Sequence, residues 1–421
     1  MKVCRQDLIK KIINEGENFK PIFINSDGGI SNTKTGLQLI GYIEQAVKPV
    51  RESETWTDEV VLELLEELKT TEKHDVYAKF LQDVKNKTLD DEGENGLYKS
   101  LIKFGKINKF ETYDQIPDKI VKLALDFAFE LTDEKFSPRV PTLKPLENVD
   151  SLRLNYHSHP GWKYYQLSQK LNPNDPLENN KKGIWDKKIR EDAMSLKDDW
   201  QTARKHEPIH FMIKNSKNKD TKEKTGPKKT RLIAIPEAHY ALCAKFIMDP
   251  LENELKNRPW LPWASGTSGN DAAIYQKQFL ESKCEIEDNP AFNLNEKWVM
   301  LDYKSYDSSI DKWVIDKMYE SIKSYFDFGR DKQKWFNFID KMKLNFVNAK
   351  FIMPDGLVFQ KLRGVTSGAS ETTYINTRIN YFYINFGVVL QQLRIKNAKA
   401  VMKIDRPRLV AVTVHGDDCM S

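Results

Sequence analysis

Cysteine is scarce in this chain. The 421 residues contain four, Cys4, Cys243, Cys284 and Cys419, and no two stand at C-x-x-C spacing. That excludes a zinc ribbon or a disulfide framework and suits a reducing compartment. Long apolar runs are missing too: nowhere do about 18 uninterrupted apolar residues occur. The opening MKVCRQDLIKKIINEGENF is charged from its second residue and lacks the apolar core of a leader peptide, so the sequence reads as neither secreted nor membrane-spanning. A dominant charge is also absent. With 66 Lys+Arg against 61 Asp+Glu, any affinity for a polyanion must come from local clustering. No internal repeat occurs, which excludes a solenoid or array. What is present suffices for folding: 40% hydrophobic and 11% aromatic content, in a chain long enough for one large core or two to three ordinary ones.

Residues 1–150 read as a mostly helical, highly charged region, with helix-period stretches such as TDEVVLELLEELKT and IVKLALDFAFELTDEKF. Turn-rich segments, LDDEGENG, KLNPNDPLENNKKG and PWASGTSGND, read as loops. From Lys214 to Arg231 runs KNSKNKDTKEKTGPKKTR, eight Lys/Arg against Asp220 and Glu223; such a run is ordinarily a solvated loop unless a larger pattern claims it. From Trp298 the character changes. KWVMLDYKSYDSSIDKWVIDKMYESIKSYF predicts a short strand, a carboxylate-bearing turn, and a helix with Trp313, Val314, Met318, Tyr319, Ile322, Tyr325 and Phe326 on one side. The helix TTYINTRINYFYINFGVVLQQL and the strand RLVAVTVHGDD follow. The pattern is α/β: a sheet backed by helices.

HEPIH spells the zinc-protease pattern H-E-x-x-H at His206, Glu207 and His210, which needs both imidazoles on one helix face. Pro208 between them disfavours a helix interior by about 3 kcal/mol, and FMIKN after them reads as a strand. The protease reading is rejected.

The chemistry lies in the carboxylates. Adjacent Asp417 and Asp418 at a hairpin tip raise one another's pKa unless a divalent cation compensates them, and Gly416 supplies the backbone freedom of a tight turn. Asp302 directly follows the strand WVML, and Asp307 follows it in a D-x-x-x-x-D spacing. Asp302 and Asp417 on neighbouring strands could bind two hard cations roughly 3.5–4 Å apart, the arrangement for in-line phosphoryl transfer. The alternative is that Asp302 merely ends a strand or caps the next helix. A third element is GVTSGASETTYIN: Ser367-Gly368 reads as a turn, and Thr372, Asn376 and Asn380 recur at i, i+4, i+8 along one helix face, a solvated face if read alone.

In this order the three elements resemble motifs A, B and C of viral RNA-directed RNA polymerases. The fuller stretches MPDGLVFQKLRGVTSGASETTYINTRIN and VHGDD look most like the partitivirus and picobirnavirus-like polymerases of double-stranded RNA viruses, although GVTSG stands where partitiviruses typically show G-V-P-S-G. KKTRLIAIPEAH resembles motif F, at Lys229 and Arg231, and HSHPGW resembles motif G, at Ser158 and Gly161.

The resemblance implies template-directed nucleotidyl transfer for viral genome replication and transcription. Asp302 and Asp417 would hold two Mg²⁺, with Mn²⁺ as a substitute, and Asp418 would be an auxiliary ligand. Asp307 and Asn376, with Ser367, Gly368 and Thr372, would bind the nucleotide and its ribose; Lys229 and Arg231 would bind the triphosphate; Ser158 and Gly161 would contact the template. A reverse transcriptase would place a bulky aromatic at position 307 and a Y-x-D-D in motif C. The implied fold is a right hand: 1–150 as an N-terminal and fingertip region, 151–295 as fingers with part of the palm, and 296–421 as palm with a small antiparallel sheet and a fingers insertion near 331–362. The thumb, the second strand of the G-D-D hairpin and the motif D lysine are expected to be missing, which would leave the chain inactive or nearly so. Implied partners are RNA template, nascent strand, nucleoside triphosphates and a viral coat protein, without membrane, in the virion interior or host cytoplasm. The competing reading is a truncated RNA-binding relic without turnover.

Overall fold

The computed structural model describes residues 4–44, 93–106, 119–138, 143–154, 158–171, 184–202, 208–217, 230–256, 300–301, 305–395, 413–415 and 418–420. It is mixed α/β and divides into two units: Met1–Ile107 with His210–Ile235 and Lys350–Leu362, and Asn108–Ile209 with Pro236–Ala349 and Arg363–Ser421.

The first unit carries α1 (Arg5–Glu15) and α2 (Gly93–Leu101) with strands β1 (Ile22–Ile24), β2 (Ile30–Ser31), β3 (Leu37–Tyr42), β4 (His210–Lys217), β5 (Thr230–Ile235), β7 (Lys350–Ile352) and β8 (Leu357–Lys361). They form one mixed sheet in the order β2-β1-β3-β8-β7-β4-β5. Every pairing is antiparallel except β4 with β7, where His210 stands opposite Lys350.

Beside its helices, the described part of the N-terminal stretch contributes β1, β2 and β3 to this sheet, strands that its composition does not predict. Its strands are two to six residues long, too short to show a period of two against the charged background. The turn in IFINSDGGIS is the signal that composition hides. Asn25 Oδ1 accepts the amides of Asp27 at 3.3 Å and Gly29 at 2.8 Å, and Gly28 takes the positive φ of 84° that such a turn needs. Of the turn-rich LDDEGENG, residues 93–96 open α2. Asp355, in the β7–β8 turn, accepts the Tyr98 hydroxyl on both oxygens at 2.7 and 2.8 Å and lies 3.7 Å from the Arg5 guanidinium, tying α1 and α2 to that hairpin.

β4 is the strand predicted over FMIKN, and it begins at His210. A continuous helix through HEPIH is thus ruled out at its second histidine; His206 and Glu207 lie outside the described residues, as does TDEVVLELLEELKT.

The second unit holds α3 (Lys119–Phe136), α4 (Trp162–Leu171), α5 (Ile184–Gln201), α6 (Ala238–Lys256), α7 (Tyr306–Ser309), α8 (Lys312–Ser324), α9 (Lys332–Val347) and α10 (Thr372–Ile395), with β6 (Met300–Leu301), β9 (Thr413–His415) and β10 (Asp418–Met420). The predicted apolar face of α8 is its buried face: Trp313, Val314, Met318, Tyr319 and Ile322 are in the core, and Tyr325 and Phe326 continue it past the helix end. α10 packs on α3, α8 and β9. Phe129 of α3 stacks on Phe382 of α10 at 4.1 Å and meets Trp313 of α8 edge-on. The three helices thereby share one aromatic seam.

The strands form a three-stranded antiparallel sheet in the order β6-β10-β9. This corrects the expectation that the final strand lacks its hairpin partner. β10 is that partner, pairing Asp418 with His415 and Met420 with Thr413, and its other edge pairs Cys419 with Leu301 and Met420 with Met300. Three residues are enough because β10 is central, bonded on both sides.

Candidate active site

Asp307 sits in the short turn α7. The turn is set by Ser305, whose φ of 59° and ψ of 44° make it the one non-glycine residue with positive φ among the described residues. Serine tolerates that left-handed geometry at a cost of order 1 kcal/mol. In return its carbonyl accepts the amides of Ser308 at 3.2 Å and Ser309 at 3.1 Å, and the Ser308 hydroxyl at 3.1 Å. The turn is closed upon itself and holds Asp307 half-buried.

The other half of the site comes from the segment entering α10. Thr366 donates its hydroxyl to the Phe346 carbonyl at 2.6 Å, and Thr372 donates its own to the Thr366 carbonyl at 2.7 Å. Gly368, with φ of 100°, turns the chain between them. The loop so formed delivers Ser367 and Asn376 to Asp307. The Ser367 hydroxyl donates to Asp307 Oδ2, Asn376 Nδ2 donates to Oδ1 at 3.3 Å, and the Val365 amide donates to the Asp307 carbonyl at 2.7 Å. Asn376 is buried, and its Oδ1 has no hydrogen-bond partner among the described residues. A buried acceptor left unmade costs about 1–3 kcal/mol, which a donor reaching this atom would relieve. Asn380, one turn on, is fully buried; the i, i+4, i+8 face is not solvated. Of the residues assigned to the nucleotide, the structure brings Asp307, Ser367 and Asn376 together, while the Thr372 hydroxyl closes the loop.

Asp302 and Asp417 lie outside the described residues, and Asp418 is described in its backbone alone. Their chain neighbours are placed. Leu301, which precedes Asp302, pairs with Cys419, which follows Asp418. A strand leading into one carboxylate is thus bonded to the strand that starts beside the other two. Three carboxylates are hard oxygen donors, the ligand type that Mg²⁺ takes, and the donor set fits a divalent cation. The described residues alone contain no cluster of three His, Cys, Asp or Glu able to hold a metal.

Around the motif G-like segment, Ser158 is exposed. Gly161 has φ of 94°, and a Cβ there would meet Glu237 Oε2 at 2.5 Å and Glu237 Cα at 2.6 Å; glycine is required because Glu237 lies against it. Sequence reasoning missed Glu237. It is buried, and both its oxygens accept the Lys163 amide, at 3.0 and 3.1 Å, at the N-terminus of α4, while the Ala238 amide donates to the Pro160 carbonyl at 2.8 Å. Burial pushes its carboxyl up to about 8, against the opposing pull of the Lys163 amide and charge. Unfolded, the group titrates near 4.5. Between these values the folded chain keeps a proton that the unfolded chain has released, so stability is fullest below about pH 4.5 and falls as pH rises to about 8. Glu237→Gln is expected to flatten that slope, by a few kcal/mol across the window; equal slopes in urea unfolding from pH 5 to 8 would refute the assignment.

Lys229 lies outside the described residues. Arg231 is in β5 opposite Ser216, with its backbone alone described.

The family model for viral RNA-dependent RNA polymerase matches residues 133–420. Among solved structures, an RNA-dependent RNA polymerase of a sicinivirus matches with 13% sequence identity and a TM-score of 0.48, over 72% of this chain and 57% of that one. The chain thus spans a little over half the length of that polymerase. No curated protein matches it. The matched stretch covers most of the chain and includes Asp302, Asp307, Ser367, Asn376, Asp417 and Asp418: the chain belongs to the viral RNA-dependent RNA polymerase family.

Proposed function

We propose that the protein is an RNA-directed RNA polymerase that adds ribonucleotides to a growing strand, the 3′-hydroxyl attacking the α-phosphate of the incoming triphosphate and pyrophosphate leaving. The observation that carries this reading is the meeting of Asp307, Ser367 and Asn376. A ribose 2′-hydroxyl both donates and accepts. At this point two acceptors, the Asp307 carboxylate and Asn376 Oδ1, lie beside two donors, the Ser367 hydroxyl and Asn376 Nδ2. The side chains thereby orient the sugar and distinguish RNA precursors from DNA precursors.

Asp302 and Asp417, with Asp418 as auxiliary, would hold two Mg²⁺, and the chemistry such ions supply is a more nucleophilic hydroxyl and a stabilised leaving group. Lys229 and Arg231 are assigned to the triphosphate, and Ser158 and Gly161 to the template, by their resemblance to motifs F and G. The stretch MPDGLVFQKLRGVTSG points to a double-stranded RNA virus of the partitivirus and picobirnavirus type, which makes the virion interior or host cytoplasm its place of action and a coat protein a partner. Fingers and palm, the latter with the β6-β10-β9 sheet, follow from the same resemblance.

The product of the complete reading frame is expected to incorporate ribonucleotides on an RNA template with Mg²⁺ or Mn²⁺. Asp307→Ala should lower its preference for ribo- over deoxynucleotides by about 10- to 100-fold while incorporation stays measurable. Equal use of both nucleotide types by the unsubstituted enzyme would overturn the ribose assignment. RNA binding without incorporation would favour the relic.

A further inference from the structure

The Asp307 turn is fastened to the strand-to-helix segment before and within α10 by links that never touch the Asp307 carboxylate. On one side of Asp307, the Tyr306 hydroxyl donates to the Asn376 backbone carbonyl at 2.9 Å. On the other, Arg363 Nη2 donates to the Ser309 carbonyl at 2.9 Å and forms an ion pair with Asp311 at 2.6 Å, and the Gly364 amide donates to the Ile310 carbonyl at 3.0 Å. Tyr306 and Arg363 are each buried, at 3% and 4% exposure, so these bonds are shielded from water that would otherwise replace them.

The placement is selective. Tyr306 ends on the backbone of the same asparagine whose side chain binds Asp307. Arg363 precedes by four residues the Ser367 that holds the other carboxylate oxygen. One bond therefore sets the distance from Asp307 to Asn376, and the other sets the register of Ser367 against the turn.

We propose that Tyr306 and Arg363 are positioning residues that determine ribonucleotide selectivity, by clamping the Asp307 turn to the two groups with which Asp307 reads the ribose. The inference rests on the ribose reading above. Neither is among the groups assigned to the ribose; each acts through the spacing of the three groups that are. A reacting or reading group displaced by about 1 Å loses as much as 10²-fold in effect, whereas the remaining links limit the displacement here.

The test compares Tyr306→Phe, Arg363→Met and Asp307→Ala in the product of the complete reading frame, measuring kcat/KM for a ribonucleoside triphosphate and its 2′-deoxy analogue, together with the thermal unfolding midpoint. Tyr306→Phe removes one oxygen and keeps the ring, so it remains decisive even where Arg363→Met fails to fold. The expected result is a fall of roughly 3- to 30-fold in the ribo-to-deoxy ratio for Tyr306→Phe, in the direction of Asp307→Ala, with the loss confined to the ribonucleotide. A merely structural role would lower both substrates equally and leave the ratio unchanged. If Asp307→Ala changes the ratio and Tyr306→Phe does not, the positioning role is overturned and the ribose reading stands. If Asp307→Ala itself leaves the ratio unchanged, both fall.

Discussion

Replacing Asp417 with Ala is expected to abolish nucleotide incorporation, by about 10³-fold or more, without unfolding the protein. Metal-assisted stabilisation of a phosphoryl-transfer transition state is worth several kcal/mol, and each 1.36 kcal/mol is tenfold in rate. Stability should move the other way. Adjacent carboxylates oppose one another's ionisation when no cation lies between them, so in metal-free buffer the variant should unfold at the same temperature or slightly higher. The strands on either side of position 417, β9 and β10, pair with each other, and β10 pairs with β6 on its other edge, through backbone groups that the substitution leaves unchanged. Manganese binding followed by calorimetry, beside primer extension, checks both halves. Incorporation within tenfold of the unsubstituted enzyme would remove Asp417 from the metal site.

Arg378→Met is expected to cost about 3 kcal/mol of stability. The guanidinium is fully buried. It donates to the Met318 carbonyl at 3.0 Å, Asp133 Oδ1 at 2.7 Å, Ser321 Oγ at 2.6 Å and the Tyr325 hydroxyl at 2.9 Å, joining α3, α8 and α10 at one point. The rings of Phe136, Tyr325 and Tyr374 lie 5.3 to 5.7 Å from its centre. Burial acts to lower its pKa, but Tyr325, Tyr374 and Asp133 outweigh it and raise the pKa, so the group stays charged. Removing one member of a buried charge network strands the others. Methionine fills the space between the rings and replaces none of the bonds, so the loss measured is that of the network and not of volume. A loss below about 1 kcal/mol in guanidinium unfolding would show that water substitutes for the arginine.

A second buried group near α10 has the same character. Glu371 accepts the Tyr240 hydroxyl and lies 3.5 Å from that of Tyr319, and burial raises the pKa of both tyrosines well above the usual range. The helix that carries Asn376 thus rests on two buried polar centres, Glu371 before its first turn and Arg378 in its second.

Local pattern made much of this legible. The apolar face of α8 follows from its 3.6-residue spacing, and the strand at β4 follows from Pro208 and the β-branched and aromatic run after it. Asp307 and Asn376 could be named through the resemblance that three short elements, in their order, bear to the polymerase motifs. Glu237, Tyr306, Arg363 and Arg378 could not. Each is an ordinary polar residue beside apolar ones, and what distinguishes it is a partner 53 to 245 residues away for Arg378, 74 for Glu237, 70 for Tyr306 and 54 for Arg363. No local period encodes such a distance.

By itself, then, the amino-acid sequence determined the helices with a clear apolar face, the chemistry available at each motif and the order in which the motifs occur, because side-chain type and spacing along one element are local properties. The tertiary structure alone decided that strands from residues 22–42, 210–235 and 350–361 share one sheet, that β10 closes the terminal hairpin against β6, and that Ser367 and Asn376 converge on Asp307. Strand partners and converging side chains are chosen by competition among many distant pairings of similar local merit. That choice is settled only when the whole core packs and most buried polar groups find their partners.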